Sequence, residues 1–192
     1  MRTFRVYIFR HGQTKFNQEN KFTGSIDSKL TKTGIEDAKI VAERLKNKKF
    51  HIAFHTSLSR SIDTLKEVLI YHPECKKVIC DDRMIERDYG ILSGKTHYEV
   101  VREYGIKKYD SWHRGWSTRP PQGESFKDVE KRVKSFIEDL KRIILKEKAN
   151  VAISAHGNSI RLFRKIMENL SIKETCSIYI PYDKVYEYII KI

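Results

Sequence analysis

The 192-residue sequence has few cysteines and no long apolar run. Its three cysteines, Cys75, Cys80 and Cys176, are odd in number and lack paired spacing, so we interpret them as reduced structural thiols rather than disulfides or zinc ligands. No segment approaches the ~20 apolar residues that a membrane-spanning helix needs. The amino terminus lacks a secretory signal pattern, because the apolar run at residues 4–9 is short and Arg5 interrupts it. We therefore expect a cytoplasmic protein with no membrane partner.

Repeats, linkers and low-complexity segments are also absent, and the length predicts one domain over residues 1–192. Acidic residues are in the minority, since 25 Asp and Glu stand against 38 Lys and Arg, for a net charge of +13. Such an excess suits nucleic acid, anionic membranes or phosphorylated small substrates. The lysines are spread along predicted helices rather than gathered in one patch. We therefore expect no nucleic-acid partner.

Strand-like and helix-like segments alternate along the chain. β-branched and aromatic runs predict strands at residues 4–9, 51–54, 77–80 and 151–153. Apolar residues at helical spacing predict helices after Thr31 or Thr33, at 58–71, at 96–104, after Ser125 and at 158–170. This alternation predicts an α/β fold, a three-layer α/β/α sandwich with a mostly parallel central sheet.

Three further expectations concern the segments between these elements. Thr56 and Ser57 are predicted to cap the helix at 58–71. Residues 107–123 are predicted to form a long connection that acts as a lid or wall over the site. Two closing strands, 177–180 and 185–190, are predicted to pair antiparallel to each other around a turn at Pro181.

Two of the predicted strands end in His-Gly. Arg10, His11 and Gly12 follow the first strand, and His156 and Gly157 follow a strand near the carboxyl terminus. Chemistry in parallel α/β sheets collects just past the carboxyl ends of strands. A packed histidine at a strand end is the alternative for either motif alone. Two such motifs far apart in sequence favour two imidazoles that meet at one sheet edge.

These two motifs belong to a set of six that occur in a recognisable order. They are Arg10-His11-Gly12-Gln13-Thr14 with Asn17, Phe22-Thr23-Gly24, Ser57-Leu58-Ser59-Arg60-Ser61, Glu86-Arg87-Asp88-Tyr89-Gly90, Gly123-Glu124-Ser125 and Ala155-His156-Gly157-Asn158-Ser159. With them the chain resembles the histidine phosphatase, or phosphoglycerate mutase-like, superfamily from about residue 5 to the end. Within it, the 2,3-bisphosphoglycerate-dependent phosphoglycerate mutases are most similar.

Phosphoryl transfer needs a nucleophile, positive charge and a proton carrier. His11 is the candidate nucleophile, because nearby arginines disfavour its protonated form and leave a free ring nitrogen. Arg10 and Arg60 supply fixed charge for the phosphoryl oxygens, and His156 adds another donor. The backbone N–H groups of Gly157 and Asn158 open a helix, which is an anion site in its own right. Since these groups supply the positive charge, we predict that no metal is required.

Glu86 is the candidate general acid–base group. Spacing alone favours a surface ion pair between Glu86 and Arg87. The resemblance favours the catalytic role instead, because Glu-Arg-x-Tyr is the acid–base and substrate-binding stretch of the family. The resemblance also implies substrate contacts at other positions, namely Asn17, Thr23, Gly24, Arg60, Arg87, Tyr89, Gly157 and Asn158.

The sequence departs from the mutase pattern at two basic positions. A lysine of the mutases corresponds to His97, with Lys95 two residues away, and the paired arginines of their lid correspond to His113 and Arg114. If both histidines bind substrate anions as cations, affinity should weaken as the pH rises past neutrality. The alternative is that Lys95 and Arg114 alone occupy these sites.

Three functions are compatible with these residues. The resemblance implies first a mutase, in which His11 carries the phosphoryl group between the 3- and 2-hydroxyls of glycerate. In that case no cofactor is tightly bound, and 2,3-bisphosphoglycerate acts as the priming donor. The second is a metal-independent phosphatase of small phosphorylated metabolites. The third is a non-enzymatic module that binds phosphorylated or nucleic-acid ligands through its charge. The residues are compatible with a homodimer and leave the oligomeric state open.

Overall fold

The computed structural model describes residues 2–191, in which five strands form one sheet in the order β3-β2-β4-β1-β5. The strands are β1 (Thr3–Arg10), β2 (Ile52–His55), β3 (Lys77–Cys80), β4 (Val151–Ala155) and β5 (Val185–Lys191). The first four are parallel to one another, and β5 pairs antiparallel with β1. The mostly parallel sheet is therefore confirmed.

Helices cover both faces of this sheet. They are α1 (Lys15–Gln18), α2 (Lys32–Leu45), α3 (Ser59–Leu69), α4 (His97–Tyr104), α5 (Ile106–Arg114), α6 (Phe126–Glu147), α7 (Gly157–Glu168) and α8 (Ile172–Ser177). Val6 and Ile8 of β1 join a buried cluster with α6 and α7, whereas Tyr7 and Phe9 join a second cluster with α2 and α3. Alternate residues of one strand thus face opposite layers. The three-layer α/β/α sandwich is confirmed.

The helix caps agree only in part with the sequence. Thr31 and Ser125 cap α2 and α6 as predicted, each through its side-chain oxygen. The predicted Thr56-Ser57 cap of α3 is wrong, because Leu58 occupies the N-cap position and no side chain caps the helix. The Thr56 hydroxyl lies against His156 instead.

The predicted connection at residues 107–123 is wrong over its first half, because α5 extends to Arg114. It follows α4 directly, with Gly105 between them at φ +81°, a backbone conformation that favours glycine. His113 and Arg114 therefore lie on the last turn of a helix.

The predicted strand at residues 177–180 is also wrong. Residues 172–177 form α8, residues 178–184 contain no strand, and β5 pairs with β1. The carbonyl groups that a neighbouring strand would bind are instead acceptors for arginine side chains. The contacts are Arg114 to Cys176 O at 3.0 Å, Arg161 to Ile178 O at 2.8 Å and Arg10 to Ile180 O at 2.9 Å.

Over residues 2–191, no helix combines the length and the apolar character that crossing a membrane would require. Cys75, Cys80 and Cys176 are free thiols.

Candidate active site

Three neighbouring parallel strands deliver the central side chains of the site. His11, Thr56 and His156 come directly after β1, β2 and β4. The backbone N–H of His11 donates to the carbonyl oxygen of Ala155 at 3.0 Å, which extends the β1–β4 register past the strand end. The ring centroids of His11 and His156 lie 5.0 Å apart. The predicted meeting of two imidazoles at one sheet edge is therefore what the structure contains.

The His11 ring is held in one tautomer. Its Nδ1 lies 2.8 Å from the carbonyl oxygen of Gly12, and because a carbonyl only accepts, Nδ1 carries the proton and donates it. The Nε2 atom consequently bears the lone pair. Burial lowers the pKa of His11 well below its usual value, and the charges of Arg60 and Arg10 lower it further. His11 is thus a neutral imidazole with a nucleophilic nitrogen.

Gly12 permits this turn because another segment comes close to it. A Cβ atom at Gly12 would lie 2.0 Å from the carbonyl oxygen of Gly34 in α2. The close neighbour of Gly12 is therefore the backbone of α2.

His156 is engaged by protein at both ring nitrogens. Arg60 Nε donates to Nδ1 at 3.3 Å, and Nε2 lies 2.8 Å from Thr56 Oγ1. Because a guanidinium only donates, Nδ1 is the acceptor and Nε2 carries the proton that binds Thr56. Burial, followed by the charge of Arg60, lowers the pKa of His156 well below its usual value. In this arrangement His156 positions Arg60.

The two predicted arginines differ in their surroundings. Arg60 is fully buried, and its guanidinium donates to the carbonyl oxygens of Ile26 and Gly24, each at 2.9 Å. Burial lowers the pKa of Arg60 to about 10. Arg10 donates from Nη1 to Ile180, and its Nε is buried with no hydrogen-bond partner within residues 2–191. This unpartnered donor is suited to bind an anion, because a buried N–H group without a hydrogen-bond acceptor is unfavourable.

Glu86 is placed by backbone N–H groups. Its Oε1 accepts from Arg87 N at 2.8 Å and from Asn158 N, at the start of α7, at 3.1 Å. The Arg87 guanidinium makes no ion pair with it among the residues that the structure describes, so the surface ion pair suggested by spacing is wrong. The sequence offered the N–H groups of Gly157 and Asn158 as an anion site for the substrate. In the structure the Glu86 carboxylate binds the N–H group of Asn158.

A pocket of about 270 Å³ opens in front of these groups. Its lining combines cationic, polar and aromatic side chains. The lining residues are Arg10, Asn17, Asn20, Lys21, Phe22, Thr23, Gly24, Glu86, Tyr89, His97, His113, Arg114, Gly157, Asn158, Arg161, Tyr179, Ile180 and Tyr182. His11, Arg60 and His156 lie behind this lining, and at most 2% of each is exposed.

Comparison with known proteins agrees with this geometry. The model of the histidine phosphatase superfamily (branch 1) matches residues 6–190. The chain belongs to the histidine phosphatase superfamily. A 2,3-bisphosphoglycerate-dependent phosphoglycerate mutase of Bifidobacterium longum is 34% identical over 208 residues, which cover 93% of this chain and 83% of the relative.

Solved structures of this superfamily share the fold. The alpha-ribazole phosphatase of Shigella flexneri superimposes with a TM-score of 0.82 at 22% identity, over 96% of this chain and 89% of that one. The phosphoglycerate mutase of Bacillus anthracis superimposes with a TM-score of 0.80 at 22% identity, over 98% and 88%. At this level of identity the comparison establishes the fold alone.

Most contacts implied by the superfamily motifs do face the pocket. The predicted residues that line it, besides Arg10 and Glu86, are Asn17, Thr23, Gly24, Tyr89, His97, His113, Arg114, Gly157 and Asn158. Asn158 is fixed by two further bonds, because its Nδ2 donates to Tyr89 Oη at 3.0 Å and its Oδ1 accepts from Arg161 at 3.0 Å.

Arg87 does not line the pocket, contrary to the expected substrate contact. It is fully buried, and its guanidinium donates to the carbonyl oxygens of Trp112, His113 and Glu124. Two of these acceptors belong to the last turn of α5, where a cation stabilises the helix. Arg87 therefore holds one wall of the pocket in place.

His97 and His113 line the pocket as neutral groups. Burial is the main reason that the pKa of each is lowered, and the charge of Arg114 lowers both further, to about 2 for His113. Both rings pack against Phe22, with centroid distances of 4.2 Å and 5.5 Å. Both rings are therefore neutral in the unliganded protein, whereas the sequence suggested cations that bind substrate anions. Of the two cations that the sequence offered as alternatives to these histidines, Lys95 bonds Glu103 and does not line the pocket, whereas Arg114 does.

Seven residues that line the pocket were not predicted as site residues from the sequence, namely Asn20, Lys21, Phe22, Arg161, Tyr179, Ile180 and Tyr182. Arg161 lies one turn into α7, and its only signal was its place shortly after the His-Gly motif. Tyr179 and Tyr182 lie in the segment that was predicted as a strand and a turn. These two tyrosines reach the pocket because Arg10 and Arg161, which are distant from them in sequence, bind the backbone of that segment.

Within residues 2–191, His, Cys, Asp and Glu side chains do not gather in groups of three or more that could bind a metal ion.

Proposed function

We propose that this protein transfers phosphoryl groups through a phosphohistidine at His11 and interconverts 3-phosphoglycerate and 2-phosphoglycerate. The observation that carries the phosphoryl-transfer step is the hydrogen bond from His11 Nδ1 to Gly12, which leaves the Nε2 lone pair free beside Arg10 and Arg60. A nucleophile with a lowered pKa inside a cationic cluster is what attack on phosphorus requires.

The residues of the site divide the reaction between them. Nε2 of His11 attacks phosphorus, and the substrate oxygen leaves with the electron pair of its P–O bond. Glu86 gives that oxygen a proton and later removes the proton of the incoming hydroxyl. Arg10 and Arg60 hold the charge of the phosphoryl oxygens, and His156 keeps Arg60 in place. In the phosphohistidine, Nδ1 keeps its proton and continues to donate it to the carbonyl oxygen of Gly12.

The mutase assignment is supported by the relatives and by a second cationic region. Lys21, Arg114 and Arg161 line the pocket in addition to Arg10, and can bind the carboxylate or second phosphate of a bisphosphoglycerate. The Bifidobacterium longum relative is named a mutase, and its similarity to this protein extends over most of both chains. In this proposal 2,3-bisphosphoglycerate primes His11, no cofactor is tightly bound, and the reaction serves glycolysis and gluconeogenesis in the cytoplasm.

A phosphatase is the second candidate, and one observation favours it. The neutral His97 and His113 remove two cations that a mutase would use to bind phosphoglycerate. Water would then accept the phosphoryl group from His11. The fold does not separate the two candidates, because solved structures with either name share it.

One assay distinguishes these reactions. The protein is incubated with 3-phosphoglycerate, with and without 2,3-bisphosphoglycerate, and 2-phosphoglycerate and free phosphate are measured. A mutase yields 2-phosphoglycerate that depends on the primer, whereas a phosphatase yields free phosphate from either mixture. His11→Ala should abolish both products and the acid-labile phosphoenzyme, while His51→Ala, at an exposed position, should retain them. Near wild-type turnover in His11→Ala would refute the phosphohistidine.

A further inference from the structure

The segment at residues 176–182 is held at the pocket by hydrogen bonds from arginine side chains that line the pocket. Three pocket-lining arginines donate to every second carbonyl of its first part, as described above. Tyr182 adds a contact of a different kind at its end. Its ring lies 4.1 Å from Cζ of Arg10, so the guanidinium stacks on the aromatic face.

This stacked pair lies next to the nucleophile. The ring centroids of Tyr182 and His11 are 6.5 Å apart. Arg10 and Tyr182 both line the pocket, whereas His11 does not and is 2% exposed. Since Arg10 Nε has no partner among the described residues, the ring of Tyr182 and the Ile180 carbonyl are the groups that hold Arg10 in this position.

We propose that the Arg10–Tyr182 pair covers His11 and controls the access of water to it, with Tyr182 as the positioning residue of Arg10. This inference rests on the proposed reaction. In that reaction the phosphohistidine can transfer its phosphoryl group either to water or to a glycerate hydroxyl. When water attacks the phosphohistidine, a P–O bond forms and the N–P bond breaks, with its electron pair returning to Nε2. The proton of water passes to Glu86, and inorganic phosphate leaves. A glycerate hydroxyl reacts in the same way, so a cover that excludes water favours the mutase reaction.

The stack uses the face of the ring rather than its hydroxyl group. Tyr182→Phe should therefore keep the cover, and Tyr182→Leu should open it. Tyr98→Leu is the matched control, because Tyr98 is 72% exposed and does not line the pocket. Tyr182→Met serves as a second opening variant if the leucine variant is too unstable, as judged from its thermal midpoint.

The first measurement needs no substrate. Diethyl pyrocarbonate modifies accessible neutral histidines, and peptide mass spectrometry follows His11 against the exposed His51 in the same protein. The loss of a cation–π contact should raise the relative rate at His11 about five- to tenfold in Tyr182→Leu. The phenylalanine variant and the Tyr98→Leu control should react like wild type. An unchanged His11 rate in Tyr182→Leu, or an equal rise in Tyr182→Phe, would overturn the proposal.

The second measurement follows the phosphoenzyme. Protein labelled from radioactive 2,3-bisphosphoglycerate is freed of donor, and the release of inorganic phosphate is timed. Tyr182→Leu should shorten the lifetime of the phosphoenzyme and raise the ratio of phosphate to 2-phosphoglycerate in turnover, while Tyr182→Phe should not. A lifetime equal to that of wild type in Tyr182→Leu contradicts the cover. A wild-type protein that forms no phosphoenzyme refutes the proposed function instead, and leaves the modification test standing.

Discussion

Thr56 Oγ1 accepts a 2.8 Å hydrogen bond from Nε2 of His156, across the ends of the neighbouring strands β2 and β4. Both side chains are fully buried, and the other ring nitrogen of His156 accepts from Arg60. The position of an arginine beside the nucleophile thus depends on a threonine that touches no part of the pocket.

Replacing this threonine should destabilise the protein. Thr56→Val keeps the shape of the side chain but leaves the His156 N–H buried and unpaired, which costs about 1–3 kcal/mol. Thr56→Ser retains the hydroxyl and should remain close to wild type. Urea denaturation of both variants measures the free energy of unfolding. Equal stability of the valine variant and wild type would show that the bond contributes nothing.

Glu86→Gln should lose turnover far more than substrate binding. A positioned acid–base group contributes roughly 10²–10⁴-fold to the rate. Glutamine keeps an oxygen that can accept from the N–H groups of Arg87 and Asn158, so the geometry should persist. Steady-state kinetics should therefore show a large fall in kcat with a small change in KM. An unchanged kcat would leave Glu86 with a purely structural role at the start of α7.

The sequence predicted the centre of this site because its signals are local. A strand followed by Arg-His-Gly or His-Gly is visible as a short string, and parallel strands bring such ends together without further information. The segment at residues 178–184 has no comparable local signal. Arg10 and Arg161 bind carbonyl groups within it and Arg114 binds Cys176 just before it, so these side chains replace the hydrogen bonds of a strand.

Burial explains the other misjudged residues. The family resemblance gave Arg87 a role at the substrate, but its guanidinium binds backbone carbonyls that only the folded chain places around it. His97 and His113 occupy the pocket as expected, yet packing against Phe22 and Arg114 keeps them neutral. A sequence indicates which side chain is present, whereas its charge state depends on neighbours that are distant in the chain.

The buried histidines should make stability depend on pH. The pKa values of His11, His97, His113 and His156 are all lowered in the folded protein, chiefly by burial. Below the unfolded value of about 6.5, the unfolded chain binds more protons than the folded one, so the free energy of unfolding falls as the pH decreases. The stability is fully present above that pH. Each histidine should contribute at most ~1.4 kcal/mol per pH unit.

Denaturation curves at several pH values between about 5 and 8 test this dependence. His113→Gln removes one of the four groups and should reduce the slope below pH ~6.5. His51→Gln, at an exposed position, is the control. A free energy of unfolding that stays constant over this range would contradict the neutral, buried state of these rings.

Substrate affinity should not depend on the protonation of His97 or His113 at neutral pH. The sequence suggested the opposite, but both rings are already neutral in the folded protein. The KM for 3-phosphoglycerate is therefore expected to follow the same pH profile between about pH 6 and 9 in wild type, His97→Gln and His113→Gln. A profile that becomes flatter in either variant would mean that bound substrate recharges the histidine.

Arg161 is expected to bind the distal anionic group of the substrate. It lines the pocket, and it donates to Ile178 O and to Asn158 Oδ1, so its guanidinium is held in a fixed direction. Burial and the nearby Arg114 lower its pKa to about 10, and it therefore remains charged at neutral pH.

Arg161→Met should accordingly raise the KM for 3-phosphoglycerate about tenfold or more, because a hydrogen bond to a charged group is lost. Arg161→Lys restores the charge without both bonds and should recover only part of this effect. Arg164→Met is the matched control, since Arg164 lies one turn further along α7, pairs with Glu168 and is outside the pocket. The amount of phosphoenzyme formed at saturating 2,3-bisphosphoglycerate should be unchanged in all three. A loss of phosphoenzyme in Arg161→Met without a change in KM would place Arg161 at the transferred phosphoryl group, and an unaltered KM with full phosphoenzyme would leave it with the single role of orienting Asn158.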